Sequence, residues 1–280
     1  MIKILFPTDY SAAAENAFIY ALQICKNYDS ELLVLHSYSA NSSSKNNAQK
    51  ISENADLENK SGTSDLFKRQ IEKMRELAVE NNLGQVSLKF FMEEGELVQN
   101  ILDLISKETI SLIVMGTTGN SGFQNKILGS MTIGVINNVA VPVLSIPHLC
   151  KFVEIDAVGF TTIYDEEDAL VLRKMIPYIQ LANAYIYCVH VNKGRQVKTQ
   201  EEIVRWKEQF KKDPVYFVEK NKDDIVKGIF DFIEEHSIDM LSCVTRNKSL
   251  FQRVFESSLA EKLSYHKRIP LLTFHENMFE

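Results

Sequence analysis

One plan of alternating strands and helices runs through this sequence twice, and that repeat limits the fold more than any other feature. Residues 2–6 (IKILF) are a short apolar strand followed by the turn PTDYS. Ala13, Ala17, Tyr20, Ala21, Ile24 and Tyr28 then recur at the spacing of one helix face. A second strand is read at 31–36, a helix on Phe67, Ile71, Met74 and Ala78, a third strand at 86–92, and a helix on Val98, Ile101, Leu102 and Ile105. A strand at 111–115, a glycine-rich loop, a short helix near 130–139 and a strand at 141–146 complete the first pass. The second pass has strands near 155–161, 184–191, 214–219, 239–244 and 269–274, with helices near 165–181, 199–212 and 223–236. Such alternation predicts an α/β fold, a parallel sheet with helices on both faces. Strands apolar along most of their length suit a sheet covered on both sides.

The two passes can be aligned residue by residue. Phe6 matches Phe160 and His36 matches His190, both offset by 154, whereas Phe123-Gln124 matches Phe251-Gln252 and Pro142 matches Pro270, both offset by 128. The difference is a segment present only in the first half. Residues 39–65 supply it, with 12 Ser or Asn among 27 positions. So little apolar surface cannot offset the entropy of ordering, which predicts a mobile surface loop. Length agrees with two units, since 280 residues correspond to about two domains of about 150. The boundary is placed at 147–151, giving domains at 1–147 and 151–280. Pro142 and Pro270 fall in the last strand of each half, and proline cannot donate a ladder bond, so both strands are expected at an edge. Packing the halves together across these two strands would cover both edges.

Composition excludes several classes of function. With 31 Lys and Arg against 37 Asp and Glu, the net charge is −6 and no long basic run occurs, so nucleic acid is not an expected partner. No run of about 18 apolar residues exists to span a bilayer, and no signal peptide is evident at the amino end. Cys25, Cys150, Cys188 and Cys243 are scattered and form no CxxC, which predicts free buried thiols and a cytoplasmic location. Trp206 lies at helical spacing with Ile203 and Phe210 and reads as core. Glu93, Glu94 and Glu96 around Gly95 read as a solvated turn rather than a metal site.

Chemistry is concentrated in one place. Five of the eleven glycines are Gly116, Gly119, Gly122, Gly129 and Gly134, between an apolar strand and a helix. In an open parallel sheet, ligands bind beyond the carboxyl ends of strands near the topological switch. Glycines let backbone amides turn toward an anion, and a helix starting near Ser130 aims its free amides and positive dipole end there. Ser130 and Thr132 add hydroxyls. A loop that merely bends the chain is the bland alternative. Neither the Walker loop, which Lys126 is not placed to complete, nor the dinucleotide fingerprint fits this spacing.

The run Gly116-Thr117-Thr118-Gly119, nine residues, then Gly129-Ser130 resembles the G-x2-G-x9-G-[S/T] motif of the universal stress protein family. Ile4-Leu5-Phe6-Pro7-Thr8-Asp9, the strand ending in His36 and the closing VPVLSIP resemble it too. The likeness covers residues 1–147 and, more weakly, 152–275, so the chain resembles a tandem universal stress protein. The resemblance implies two open five-stranded, Rossmann-like sheets of the adenine-nucleotide-binding type, order 3-2-1-4-5, in pseudo-twofold tandem. It implies that Asp9 binds ribose and adenine, with Pro7 and Thr8 shaping the pocket and Ser37 offering backbone groups to the adenine edge. Met115 and Gly116 would underlie ribose and phosphates, and Gly119, Gly129, Ser130, Met131 and Thr132 would cradle the phosphates. Asp9 has a second reading as an acid at a helix amino end. His36 reads as a half-buried, hydrogen-bonded residue, and its side chain is not assigned to the ligand.

The second half departs from this pattern. Ile163 stands for Asp9, Val244 for Gly116, Asn247 for Gly119, and Ser257 and Ser258 for Gly129 and Ser130. A branched side chain at the first glycine position obstructs close approach to phosphate, so residues 151–280 read as a degenerate copy. The expected ligand is one ATP per chain, with or without Mg2+. Three roles stay open: a nucleotide-binding stress sensor or regulator acting on a protein partner, a slow ATP-hydrolysing enzyme, and a scaffold without ligand. The first is preferred, because the loop supplies donors but no evident base for turnover. A homodimer beyond the intrachain pairing is a further open alternative.

Overall fold

The computed structural model describes residues 2–38, 55–117, 128–192, 200–245 and 269–279. The first half runs β1 (Ile2–Pro7), α1 (Ala12–Asn27), β2 (Ser30–Tyr38), α2 (Ala55–Glu80), β3 (Leu88–Glu94), α3 (Leu97–Lys107), β4 (Ile110–Gly116), α4 (Ser130–Ile136) and β5 (Val143–Ile146). The second runs β6 (Ala157–Thr161), α5 (Glu166–Leu181), β7 (Tyr185–Asn192), α6 (Gln200–Gln209), β8 (Val215–Asn221), α7 (Ile225–Glu235), β9 (Met240–Thr245) and β10 (Leu271–His275), with a closing 3-10 turn (Glu276–Phe279).

All ten strands form one sheet, ordered β3-β2-β1-β4-β5-β10-β9-β6-β7-β8. Each half has the order 3-2-1-4-5, as the family resemblance implied, and the two are joined in mirror sequence through their last strands. Within each half the described pairs are parallel, while β5 and β10 are antiparallel, with Leu144 opposite Leu272. Both prolines precede their strands rather than lying inside them. There Pro142 and Pro270 still present carbonyls, which accept from the amides of Ile113 and Leu241, without having to donate.

Strand alternation sorts the core. Leu5, Leu33, Leu35, Ile113 and Met115 face α3 and α4, and their cluster continues through Leu271 and Leu241 to Ile229 and Phe232 of α7. One buried core therefore runs through both halves on this side. On the other side Phe6, Phe18, Val34 and Met74 pack beneath α1 and α2, while Phe160, Val171, Cys188 and Trp206 pack beneath α5 and α6. The three residue pairs between β5 and β10 contribute about 1 kcal/mol net per hydrogen bond, whereas each fully buried Leu or Phe contributes about 1.5–3 kcal/mol. Shared apolar burial, more than the ladder, holds the halves together.

One expectation is corrected. Residues 55–65, read as part of a mobile loop, belong to α2. The stretch carries Ala55, Leu57, Glu58 and Lys60, good helix formers among the Ser and Asn. The remainder of that expectation, 39–54, lies outside the described residues. All four cysteines are buried and none forms a disulfide, as read from the sequence.

Candidate functional site

The geometry of the first strand–helix turn is dictated by three side chains. The Thr8 amide donates to Leu35 O, 2.9 Å away, carrying the β1–β2 ladder one residue beyond the strand. Thr8 Oγ1 then accepts from the Tyr10 amide at 3.0 Å, and Tyr10 takes a left-handed φ of 57°. Its ring packs on His36, with centroids 4.7 Å apart. His36 Nδ1 lies 2.9 Å from Thr8 O. A carbonyl only accepts, so this nitrogen carries the proton. The turn leaves Asp9 exposed at the carboxyl end of β1, where its Oδ1 accepts from the Ser11 amide at 3.0 Å. Ser11, not Asp9, caps α1 by accepting from Ala14.

Beside this turn, β4 ends at Gly116. The Thr117 amide donates to Ile146 O, and Thr117 O accepts from the Gly129 amide, so the two ends of the glycine loop are clasped. Thr132 Oγ1 donates to Gly116 O at 3.1 Å, pinning the first turn of α4 to the end of β4. Gly129 is the N-cap of α4 and provides no side-chain cap. The amides of Ser130, Met131 and Thr132 therefore have no intrahelical acceptor. Ser130 and Met131 are exposed and Thr132 is buried.

These residues converge. Because β1 lies between β2 and β4, Pro7, Ser37 and Met115 come from three adjacent strands. By alternation they share the face beneath α3 and α4, where Leu5, Leu35 and Ile113 form the core below them. Thr8 faces the opposite side, toward α1 and α2, and acts on the site by fixing the turn. Of the sequence-predicted residues, Pro7, Asp9, Ser37, Met115, Gly116, Gly129, Ser130, Met131 and Thr132 thus gather at the carboxyl ends of β1, β2 and β4 and at the start of α4, at the switch point. Gly119 lies outside the described residues, as do Gly122 and Lys126. A small cavity on the α1–α2 side, lined by Thr8, Tyr10, Glu15, Lys73 and Met74, is about 10 Å³, room for one water at most, and includes none of the residues gathered at the switch point.

Two contributors went unnoticed in the sequence. Tyr10 and its counterpart Tyr164 were readable from the shared offset of 154 that also relates Thr8 to Thr162. Burial pushes both phenols well above the ordinary tyrosine range. Asn100 on α3 donates through Nδ2 to Ser37 Oγ at 3.0 Å and to Glu93 O at 3.4 Å. Its signal was a polar residue on the apolar stripe of Leu97, Ile101 and Leu104. Glu93 and Glu94, read as part of a solvated turn, instead end β3, and Glu96 precedes α3; all three are exposed.

The sequence model of the Universal stress protein family matches residues 1–147. The chain belongs to the universal stress protein family. A universal stress protein of Methanocaldococcus jannaschii is 30% identical over 146 residues, 51% of this chain and 79% of that relative. Among solved structures, a universal stress protein from Archaeoglobus fulgidus aligns with a TM-score of 0.69 at 18% identity, covering 98% of this chain and 96% of its own. One described as a putative universal stress protein from Pseudomonas aeruginosa gives 0.57 at 14% identity, covering 99% and 94%. At these identities the two structures speak to the fold: each carries the arrangement over nearly the whole chain, so this universal stress protein is a tandem of two repeats. Membership places it among stress-response proteins. No described helix is long and apolar enough to cross a membrane.

Proposed function

We propose that residues 1–147 hold one adenine nucleotide, ATP with or without Mg2+, and that the protein acts as a nucleotide-responsive regulator of a protein partner rather than as a catalyst. The supporting observation is the contrast between the equivalent strand–helix turns of the two halves. Both halves keep the turn: Thr162 Oγ1 accepts from the Tyr164 amide at 2.8 Å, Tyr164 has φ 61°, and His190 Nδ1 lies 2.8 Å from Thr162 O. To this turn the first half adds groups for an anion and a ribose, namely Asp9, Gly116 and the uncapped amides after Gly129, while positions 257 and 258, the counterparts of Gly129 and Ser130, lie outside the described residues. In this reading the phosphates rest on those amides and on the Ser130 hydroxyl, and Asp9 accepts from the ribose hydroxyls. A divalent cation would be held chiefly by the phosphates themselves.

In the second half Ile163 and Val244 stand at the positions of Asp9 and Gly116, and residues 151–280 are read as a copy without the nucleotide site. Isothermal calorimetry of the full chain with ATP tests both statements. One site per chain is expected. Two sites would overturn the assignment of the second half, and none would overturn the nucleotide reading. Mass spectrometry of small molecules released on denaturing the purified protein is expected to show ATP. ADP alone would favour the hydrolytic alternative.

A further inference from the structure

The pair formed by Ser37 and Asn100 gives the site a hydrogen-bond polarity. Asn100 is buried at the start of α3, beneath the turn at Gly95, whose φ of +119° lies where glycine is favoured. Its amide orientation follows from chemistry: Glu93 O only accepts, so the nitrogen must face it. The second hydrogen of the same nitrogen goes to Ser37 Oγ. Ser37 therefore accepts from the protein, and its own O–H has no acceptor among the described residues.

Ser37 is half-buried near the end of β2, two residues past Leu35, which pairs with Pro7 of β1, on the face beneath α3 and α4. If phosphates occupy the loop between β4 and α4, the nucleoside extends over β1 to β2, a span of about 10 Å at the usual strand spacing. The base then meets Ser37. The second half provides an internal control. Asn100 and Gly228 occupy equivalent places, since their amides make the same bond, to Glu96 O and Asp224 O, at 3.0 Å each. Ser37 corresponds to Val191, and a Cβ on Gly228 would lie 2.7 Å from Val191 Cγ1. There a valine fills the hole that the asparagine occupies in the first half, and no polarity is left.

We propose that Asn100 is a positioning residue that sets base specificity, holding the Ser37 hydroxyl as a donor toward a ring-nitrogen acceptor of the bound purine. The inference rests on the nucleotide reading above. Adenine offers an unprotonated N1 to such a donor, whereas the hypoxanthine of inosine triphosphate presents N1–H.

The test is the ratio of affinities for ATP and inosine triphosphate, measured by calorimetry on the full chain. The unaltered protein is expected to prefer ATP. Asn100→Ala frees the hydroxyl to rotate, and the preference should fall about fivefold, the scale of one hydrogen bond. Ser37→Ala should lower it equally, and the double variant should lose no more than either single one. Asn100→Asp presents a carboxylate that accepts from Ser37, turning its lone pairs toward the base, so the preference should shift further toward inosine triphosphate. Equal weakening of both nucleotides in Asn100→Ala, with the ratio kept, would reduce Asn100 to a structural role and overturn the proposal. Should Asn100→Ala not fold, an unchanged ratio in Ser37→Ala overturns it as well. Failure of the unaltered protein to bind either nucleotide would instead overturn the nucleotide reading.

Discussion

The two halves of this chain share a backbone plan and a turn, yet differ where a ligand would touch them. Thr8, Tyr10 and His36 recur as Thr162, Tyr164 and His190 with the same hydrogen bonds and the same left-handed tyrosine. Around that frame, Asp9 gives way to Ile163, Ser37 to Val191, Asn100 to Gly228 and Gly116 to Val244. Ile163 is exposed, and the packing around the shared turn differs as well. Trp206 stands edge-on to Tyr164 at 5.3 Å, where the first half has its small cavity beside Tyr10. A buried Asp168 accepts from Thr162 Oγ1 and from the Ile163 amide, where the first half has Ala14. The frame is thus a requirement of the fold, and the positions that vary around it are those available to function.

The comparison breaks most sharply at Gly129. Its φ of −72° and ψ of 160° are extended values that valine adopts without strain, so Gly129→Val should fold normally by circular dichroism. The added side chain would stand at the mouth of the proposed phosphate cradle. Loss of ATP affinity by at least about a hundredfold is expected, equivalent to about 2.7 kcal/mol. Unchanged affinity would move the ligand away from α4.

Much of this contrast could be read from the sequence because it lies in short-range patterns. Apolar runs located all ten strands to within a few residues, and the prolines before β5 and β10 foretold where the halves would meet. The places of Asp9 just after β1 and of Gly116 at the end of β4 were legible because each follows an apolar run. What was not legible depended on partners far apart in the chain. Asn100 is 63 residues from Ser37, and nothing in either segment alone reveals the bond. The start of α2 was hidden differently, since helix formers were diluted by Ser and Asn across the composition of 39–65.

A second difference between the halves is one of volume. Leu5 in the first half corresponds to Gly159 in the second, and Leu104 to Phe232. A Cβ on Gly159 would lie 2.9 Å from Phe232 Cε1, 3.1 Å from Ile238 Cγ2 and 3.2 Å from Leu241 Cδ1. Gly159→Ala should therefore destabilise the protein by about 1–3 kcal/mol through overpacking. Adding Phe232→Leu restores the size relation of the first half. The double variant should cost less than the sum of the two single ones by about 1 kcal/mol, measured by urea unfolding. Strict additivity would mean that the ring moves aside and that the exchange of volumes is incidental.

The smallest effect expected is an equality. Cys25 lies in the core beneath α1 and Cys188 in the core beneath α5, one in each half. Burial pushes the Cys25 thiol up to about 12 and holds that of Cys188 well above its ordinary value, with the Asp168 carboxylate adding to the latter. The thiolate is the reactive form, so labelling at pH 8 requires opening. Because one core runs through both halves on the α3, α4 and α7 side, opening either half should expose the other. Labelling rates within about twofold are expected, whereas Cys25 reacting tenfold faster would show halves that open separately. The same thiols give a pH dependence. Below pH of about 9 folded and unfolded chains both keep the Cys25 proton, so it contributes nothing to the slope. From there toward about 12 only the unfolded chain releases it, and stability falls as pH rises. Urea midpoints at pH 8 and 10.5 should differ less in Cys25→Ala than in the unaltered chain, and an equal drop would assign the alkaline loss to other groups.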